Sequence, residues 1–92
     1  MQQNKGGQTA PKITVLLADD HAVVRKGIRD FLEEDEAIEV VAEAGDGAEA
    51  WRLLAHVRPQ VAVLDIRMPE MTGIELTKRI KATYPEIKVL IL

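Results

Sequence analysis

The sequence has 92 residues, which is enough for one small domain. Its formal net charge is −3, from 12 basic and 15 acidic residues, and this acidic balance argues against a nucleic-acid-binding surface in this segment. It contains no cysteine, which excludes a disulfide framework and a thiolate metal site.

The beginning of the chain is polar and lacks an apolar segment that could serve as a signal peptide. We expect residues 1–11 to form a disordered leader. Along the rest of the chain, no apolar run approaches the roughly 20 residues of a membrane span. Together with the absence of cysteine, this composition predicts a cytoplasmic protein that does not bind membranes.

The next stretch predicts a strand followed by a helix. Residues 13–18 form an apolar run of strand length that ends at Asp19-Asp20. From Ala22 onward, apolar residues recur every four positions with charged residues between them, which indicates an amphipathic helix. The acidic stretch 33–36 ends this helix.

A second strand and a second helix follow. Residues 38–44 alternate only in part, which predicts a strand that is less buried than the first. Asp46, with Glu49 three residues later, resembles a capping box at the start of a helix. Arg58-Pro59 ends that helix. Its apolar face carries Ala50, Leu53, Leu54 and Val57.

The third predicted strand, residues 61–64, is wholly apolar and runs directly into a single carboxylate, Asp65, with Pro69 closing the short loop behind it. This pattern predicts a fully buried strand that places Asp65 at the end of a sheet. A carboxylate in that place is costly unless a cation or a reaction occupies the same end of the sheet. Asp65 is therefore the first candidate for a functional residue.

The last predicted elements are a third helix and a fourth strand. Tyr84-Pro85 ends the helix, and residues 87–92 form the strand. The inner face of the helix has apolar or small residues at relative positions 0, 3, 4 and 7, namely Gly73, Leu76, Thr77 and Ile80.

The predicted strands begin near residues 13, 38, 61 and 87, with helices between them. This alternation predicts an α/β fold with a doubly wound parallel sheet, right-handed crossovers and helices on its faces. In such a sheet, functional residues gather at the carboxyl ends of the strands. If the first and third strands are neighbours, Asp19, Asp20 and Asp65 converge there.

Three converging carboxylates would repel one another, and a hard divalent cation removes that conflict. Mg²⁺ is satisfied by one or two carboxylates together with water and phosphate oxygens. We therefore interpret Asp19, Asp20 and Asp65 as a magnesium site, with Asp65 as a nucleophile toward an incoming phosphoryl group. His21 follows the acidic pair directly, but we interpret it as a loop residue at the start of a helix.

These motifs resemble the receiver domain of bacterial two-component response regulators, which has the CheY-like fold. The resemblance covers residues 12–92. The run Asp19-Asp20-His21 with Val24-Arg25, followed by Val40-Val41-Ala42-Glu43-Ala44, is similar to the NarL/FixJ subfamily. The residues that carry the family resemblance are Asp19-Asp20, Asp46-Gly47, Asp65, Met68-Pro69 and Gly73.

The resemblance implies a strand order of 2-1-3-4, continued by a fifth strand, and it implies the roles of the acids. Asp65 would accept a phosphoryl group from the phosphohistidine of a sensor histidine kinase. Asp20 and Asp65 would bind Mg²⁺ directly, Asp19 would bind it through water, and the backbone carbonyl of Arg67 would complete the protein ligands. A DNA-binding helix-turn-helix output domain is also implied, and we expect it to be absent from this chain.

Part of the family pattern is missing from the sequence. The family has a Ser or Thr at the end of the fourth strand and a Lys at the end of the fifth, and the sequence ends at Leu92 before either. We therefore expect residues 12–92 to be an incomplete receiver domain without the fifth strand and the last two helices. Without the fifth strand, one side of the sheet next to the fourth strand is uncovered. We therefore expect a loosely folded chain or a homodimer that covers this surface. Thr72 stands where the family more often has Asp or Asn.

Two other functions stay open. One is an interaction or dimerisation module that never carries phosphate. The other is a magnesium-dependent phosphatase with an aspartyl-phosphate, but haloacid-dehalogenase-like enzymes place a second Asp where this sequence has Arg67. The preferred interpretation is a signalling module and not an enzyme, in which phosphate on Asp65 biases a two-state equilibrium.

Overall fold

The computed structural model describes residues 11–92. The predicted disordered leader falls on residues 1–11, of which residues 1–10 lie outside the described residues. None of the helices in the described part of the chain is long and apolar enough to cross a membrane. In chain order, the elements are β1 (Ile13–Ala18), α1 (Ala22–Leu32), β2 (Ile38–Ala44), α2 (Gly47–Val57), β3 (Val61–Leu64), α3 (Gly73–Thr83) and β4 (Lys88–Ile91).

The strands form one parallel sheet in the order β2-β1-β3-β4. This arrangement confirms the predicted doubly wound fold and puts the first and third strands side by side. At the carboxyl end of that pair, Ala18 lies opposite Leu64, and the Asp65 N–H donates to the Ala18 carbonyl at 2.9 Å. The residues that follow β1 and β3 therefore emerge next to each other at one end of the sheet.

The larger hydrophobic core lies between one face of the sheet and helices α2 and α3. Leu54 of α2 and both Leu76 and Ile80 of α3 are fully buried against side chains from β1 and β3. The rings of Trp51 and Tyr84 pack at the margin of this core, with their centroids 5.6 Å apart. Close packing on this face holds the carboxyl ends of β1 and β3 in a defined position.

Helix α1 covers the opposite face, where the core is smaller. Ile28 and Leu32 of α1 are only partly buried there, and Phe31 is 71% exposed. The predicted helix is present, but its apolar stripe is incompletely covered, because within residues 11–92 no second helix packs on this face of the sheet. The buried sheet residues in this smaller core are Val15, Leu17 and Val63.

Side-chain caps begin the two helices that flank the end of the sheet. The Asp46 carboxylate accepts a hydrogen bond from the Glu49 N–H at 2.7 Å, and Glu49 Oε1 accepts one from the Gly45 N–H at 2.8 Å. The first bond confirms the predicted cap at the start of α2. The second differs from a regular capping box, because Glu49 accepts from the residue before the N-cap and not from the Asp46 N–H. Thr72 Oγ1 accepts from the Glu75 N–H at 3.2 Å, so the residue that departs from the family pattern is the N-cap of α3.

Strand β4 is one residue shorter at each end than predicted. Ile87 is buried in the larger core, and the Leu92 N–H still donates to the Leu64 carbonyl at 2.9 Å. On its other side, β4 has no neighbouring strand among residues 11–92. Leu90, whose side chain is on the sparsely covered face, is 55% exposed.

Gly27 lies inside α1, and a Cβ there would meet no other heavy atom within 4 Å. Glycine loses more backbone entropy on folding than alanine does, so Gly27→Ala is expected to stabilise the chain by roughly 0.5–1 kcal/mol. Urea unfolding of both chains at one protein concentration measures this change. A free energy of unfolding that is unchanged or lower would contradict an open position inside a regular helix.

Candidate metal centre

Four side chains meet at the carboxyl-terminal end of the sheet. One potential ligand atom from each of Asp19, Asp20, His21 and Asp65 lies within 4.8 Å of the others. Asp19 is buried, Asp65 is partly buried, and Asp20 and His21 are exposed. The structure therefore brings together the three carboxylates that the sequence predicts to converge, and it leaves the group accessible to solvent.

Asp19 is held by the turn that leads from β1 into α1. Its carboxylate accepts a hydrogen bond from the His21 N–H at 2.8 Å, in the manner of an Asx turn. Its own N–H donates to the Ala44 carbonyl at 3.0 Å and ties it to the end of β2. With 4% of its surface exposed, Asp19 is the buried acid of the group. The same turn presents Asp20 to solvent.

Asp65 begins the loop between β3 and α3, and this loop folds back on it. The Arg67 N–H donates to Asp65 Oδ1 at 3.3 Å, and the Gly73 N–H donates to the Ile66 carbonyl at 2.9 Å. A Cβ at Gly73 would collide with the Asp65 carbonyl oxygen and lie 3.1 Å from its carbon. Glycine at the start of α3 therefore allows the helix to approach the backbone of Asp65 closely.

His21 lies beside the acids, at the helix start where the sequence places it. Its Nδ1 lies 3.0 Å from Asp20 Oδ1 and 3.6 Å from Asp19 Oδ1. It occupies the N-cap position of α1, as a residue at the helix start should, but its side chain makes no cap hydrogen bond. Its place directly after the acidic pair is the sequence signal that could have indicated this contact.

The donor set fits a hard divalent cation. Carboxylate oxygens are the protein ligands that Mg²⁺ prefers, and the ion usually keeps several waters on its open side. Oxygens of Asp19, Asp20 and Asp65 share one small volume, and without a counter-charge they would repel one another. The acidic group can therefore hold Mg²⁺ with its exposed side left for water or a phosphoryl oxygen.

A shallow pocket opens beside Asp20 and the loop that follows Asp65. Two of its lining side chains, Ile66 and Ile74, are 41% and 50% exposed, so the approach to the acids is partly apolar. A reacting group could reach the acids from this side. The pocket is lined by Asp20, Ile66, Arg67, Met68, Pro69, Thr72 and Ile74.

The fold and the site together define a class: a doubly wound α/β domain with a group of acidic side chains at the carboxyl ends of its first and third strands. Residues 15–92 match the family described as the response regulator receiver domain. The chain belongs to this family. Its membership confirms the resemblance drawn from the acidic pair, Asp65 and the loop motifs.

Similarity to individual proteins is substantial, but it covers only part of each relative. The chain is 46% identical over 80 residues to the DNA-binding transcriptional activator DevR/DosR of Mycobacterium tuberculosis, which is 87% of the chain and 37% of that protein. It is 49% identical over 74 residues to a protein-glutamate methylesterase/protein-glutamine glutaminase of Methanococcus maripaludis, which is 80% of the chain and 20% of that protein. The chain thus spans well under half the length of either relative.

A solved structure agrees with these matches. The signal receiver domain of the response regulator NarL from Mycobacterium tuberculosis superposes with a TM-score of 0.83 at 36% identity, over 89% of this chain and 66% of that chain. This similarity, with that to DevR/DosR, confirms the predicted CheY-like fold and the likeness to NarL-type regulators.

Proposed function

We propose that the chain is the phosphoacceptor part of a two-component response regulator, in which Asp65 receives a phosphoryl group from the phosphohistidine of a sensor histidine kinase. One observation carries this proposal. The Asp65 carboxylate follows a buried strand and lies within 4.8 Å of the acidic pair that follows the neighbouring strand. Membership of the receiver family supports the same function.

In the proposed transfer, a carboxylate oxygen of Asp65 attacks the phosphorus of the phosphohistidine. A P–O bond forms, the P–N bond breaks, and the imidazole leaves as a neutral ring after it takes up a proton from solvent. When bound, Mg²⁺ supplies positive charge that reduces the repulsion between the carboxylates and the phosphoryl oxygens. The Arg67 N–H, which donates to Asp65 Oδ1, orients the carboxylate for this attack.

The proposed ligand roles follow the exposure of the acids. Asp20 is exposed and Asp65 is partly buried, and we propose that both bind Mg²⁺ directly. Asp19 is buried and already accepts a hydrogen bond from a backbone N–H, which favours binding through a water molecule. The backbone carbonyl of Arg67, in the loop that folds back on Asp65, completes the proposed set.

The wider activity is also a proposal, because the chain spans 37% of the length of DevR/DosR. We propose that phosphate on Asp65 biases a two-state equilibrium, which a DNA-binding output domain outside residues 1–92 reads. DevR/DosR is itself described as a DNA-binding transcriptional activator. For this chain we propose a cytoplasmic location, no membrane contact and a role in signalling instead of catalysis.

Beryllofluoride mimics a phosphoryl group on aspartate and tests the proposed function without a kinase. With Mg²⁺ present, it is expected to shift the backbone amide resonances of Asp20, Asp65 and Arg67 in NMR spectra of this chain. The amide of Asp46 is the control, because this residue caps α2 at the same end of the sheet but lies outside the acidic group. An unchanged Asp65 resonance at saturating beryllofluoride would contradict the phosphoacceptor role.

A homodimer is a second proposal, and the exposed side of β4 favours it. Leu90 and Leu92 are 55% and 52% exposed beside a sheet edge that has no neighbouring strand among residues 11–92, and such an edge is a site for pairing with another chain. Leu90→Lys is expected to shift the chain toward monomer in sedimentation equilibrium. Ile74→Lys, at a 50% exposed position on α3, should leave the association unchanged. A thermal melt that is independent of concentration, from a chain that sediments as a monomer, would contradict the dimer.

A further inference from the structure

Arg25 of α1 connects the turn after β1 to strand β2. Its Nη1 donates to the Asp19 carbonyl at 2.5 Å, and its Nε donates to Glu43 Oε1 at 3.2 Å. The Arg25 side chain is 22% exposed, so most of it is shielded from water. A single planar guanidinium therefore bonds both the backbone beside the acidic group and a carboxylate on the neighbouring strand.

The carbonyl that Arg25 bonds belongs to the peptide unit between Asp19 and Asp20. The N–H of Asp19 pairs with the Ala44 carbonyl of β2 at 3.0 Å, which secures one side of the residue. Arg25 secures the other side. A rotation of this peptide unit would redirect the Asp20 side chain. The bond from Arg25 to the Asp19 carbonyl therefore restrains Asp20 without direct contact between the two side chains.

Glu43 holds the guanidinium of Arg25 in place. Its second oxygen, Oε2, accepts a hydrogen bond at 2.8 Å from Arg29 Nη1, so the carboxylate bridges two arginines that are four residues apart on α1. The hydrogen bond that Arg29 donates to Glu43 also raises the pKa of Arg29 above its ordinary value. The carboxylate therefore lies between two cations and neutralises part of their charge near the acidic group.

We propose that Arg25 is a positioning residue, which fixes the Asp19–Asp20 peptide unit and thereby holds the Asp20 carboxylate where it binds Mg²⁺ beside Asp65. The inference rests on the proposed function, since it requires that the acidic group binds Mg²⁺. It adds a residue of α1, outside the acidic group, to the set that determines the affinity for the cation.

The direction in which Arg25→Ala changes the Mg²⁺ affinity distinguishes a positioning role from simple charge repulsion. Arg25 is a permanent cation near the acids, so the loss of its charge alone would strengthen the binding of Mg²⁺. Loss of the positioning contact acts in the opposite direction, because partners that orient metal ligands typically contribute about 10–100-fold to metal affinity. Arg25→Ala is therefore expected to weaken Mg²⁺ binding by about tenfold.

An NMR titration with Mg²⁺, followed at the amides of Asp20 and Asp65, measures the affinity. Arg29→Ala is the matched control, because Arg29 bonds the same glutamate from the same helix and is not among the donors to the Asp19 carbonyl. The Mg²⁺ affinity of Arg29→Ala is expected to stay close to that of the unmodified chain. In ¹⁵N relaxation of the metal-free proteins, the Asp20 amide is expected to gain fast motion in Arg25→Ala and not in Arg29→Ala.

An Arg25→Ala chain that binds Mg²⁺ as tightly as the unmodified chain, or more tightly, would overturn the inference. Equal weakening by Arg29→Ala would overturn it as well, since the effect would then come from the helix and not from the Asp19 carbonyl. If Arg25→Ala does not fold, Arg25→Lys decides. Lysine keeps the positive charge but cannot bond the Asp19 carbonyl and Glu43 at the same time, as the guanidinium does. An unchanged Mg²⁺ affinity of Arg25→Lys would therefore contradict the positioning role.

Failure of the proposed function gives a different result. If the unmodified chain shows no Mg²⁺-dependent shift at Asp20 or Asp65, the metal site itself is wrong, and the role of Arg25 is wrong with it. If the unmodified chain binds Mg²⁺ and all variants match it, only the role of Arg25 is wrong.

Discussion

Asp65→Asn is expected to abolish phosphorylation of the chain by phosphoramidate, a small donor whose P–N bond resembles that of phosphohistidine. The neutral amide is a poor nucleophile, and the substitution also removes one of the three negative charges proposed to bind Mg²⁺. The fold should persist, because asparagine has nearly the same shape and its oxygen can still accept from the Arg67 N–H. Intact-mass spectrometry measures the phosphorylated fraction after incubation with Mg²⁺.

Asp46→Asn is the matched control for this experiment. Asp46 also follows a strand at the same end of the sheet, and asparagine is as good an N-cap as aspartate. This variant should therefore fold and take up phosphate like the unmodified chain. A phosphorylated Asp65→Asn chain, or equal loss in both variants, would show that Asp65 is not the acceptor.

Gly47→Ala is expected to destabilise the fold by about 3 kcal/mol, in spite of the better helix propensity of alanine. A Cβ at Gly47 would overlap the Met71 carbonyl oxygen and would lie 2.7 Å from the Met71 Cβ and 2.8 Å from its carbonyl carbon. These are mostly backbone atoms, which cannot move aside as the end of a flexible side chain can. Since Met71 belongs to the loop after Asp65, the clash would also displace the loop that positions the proposed phosphoacceptor.

Gly45→Ala serves as the control for Gly47→Ala. A Cβ at Gly45 would meet only the side-chain atoms Arg25 Nη1 at 3.6 Å and Glu49 Oε1 at 3.8 Å, which are ordinary contacts. The free energy of unfolding of Gly45→Ala should therefore stay within about 0.5 kcal/mol of that of the unmodified chain. Urea unfolding at one protein concentration compares the three chains. Equal stability of Gly47→Ala and Gly45→Ala would contradict the close approach of α2 to this loop.

Elements with a strong local pattern were predictable from the sequence. The apolar run 61–64 that ends at Asp65 predicted both a buried strand and the acid at its end, and the spacing of Asp46 and Glu49 predicted the cap of α2. Parallel strands with helices between them place their carboxyl ends at one end of the sheet. For this reason, the convergence of Asp19 and Asp20 with Asp65 could also be predicted.

Contacts between distant segments could not be predicted in this way. Arg25 of α1 reaches Glu43 of β2, 18 residues away, because the helix packs beside that strand, and no local residue pattern specifies this packing. The apolar stripe of α1 predicted a buried face, yet Phe31 is exposed, since exposure depends on which elements pack on that side of the sheet.

The sequence by itself determined the order of the elements, the type of sheet and the identity of the acids, because these follow from local periodicity and from the chemistry of single residues. Only the tertiary structure decided how the acidic turn is held. The bonds from Arg25 to the Asp19 carbonyl and to Glu43 join three segments. The approach of Gly47 to Met71 joins two segments that are 24 residues apart. Such contacts depend on the packing of whole elements, and a local pattern contains no information about it.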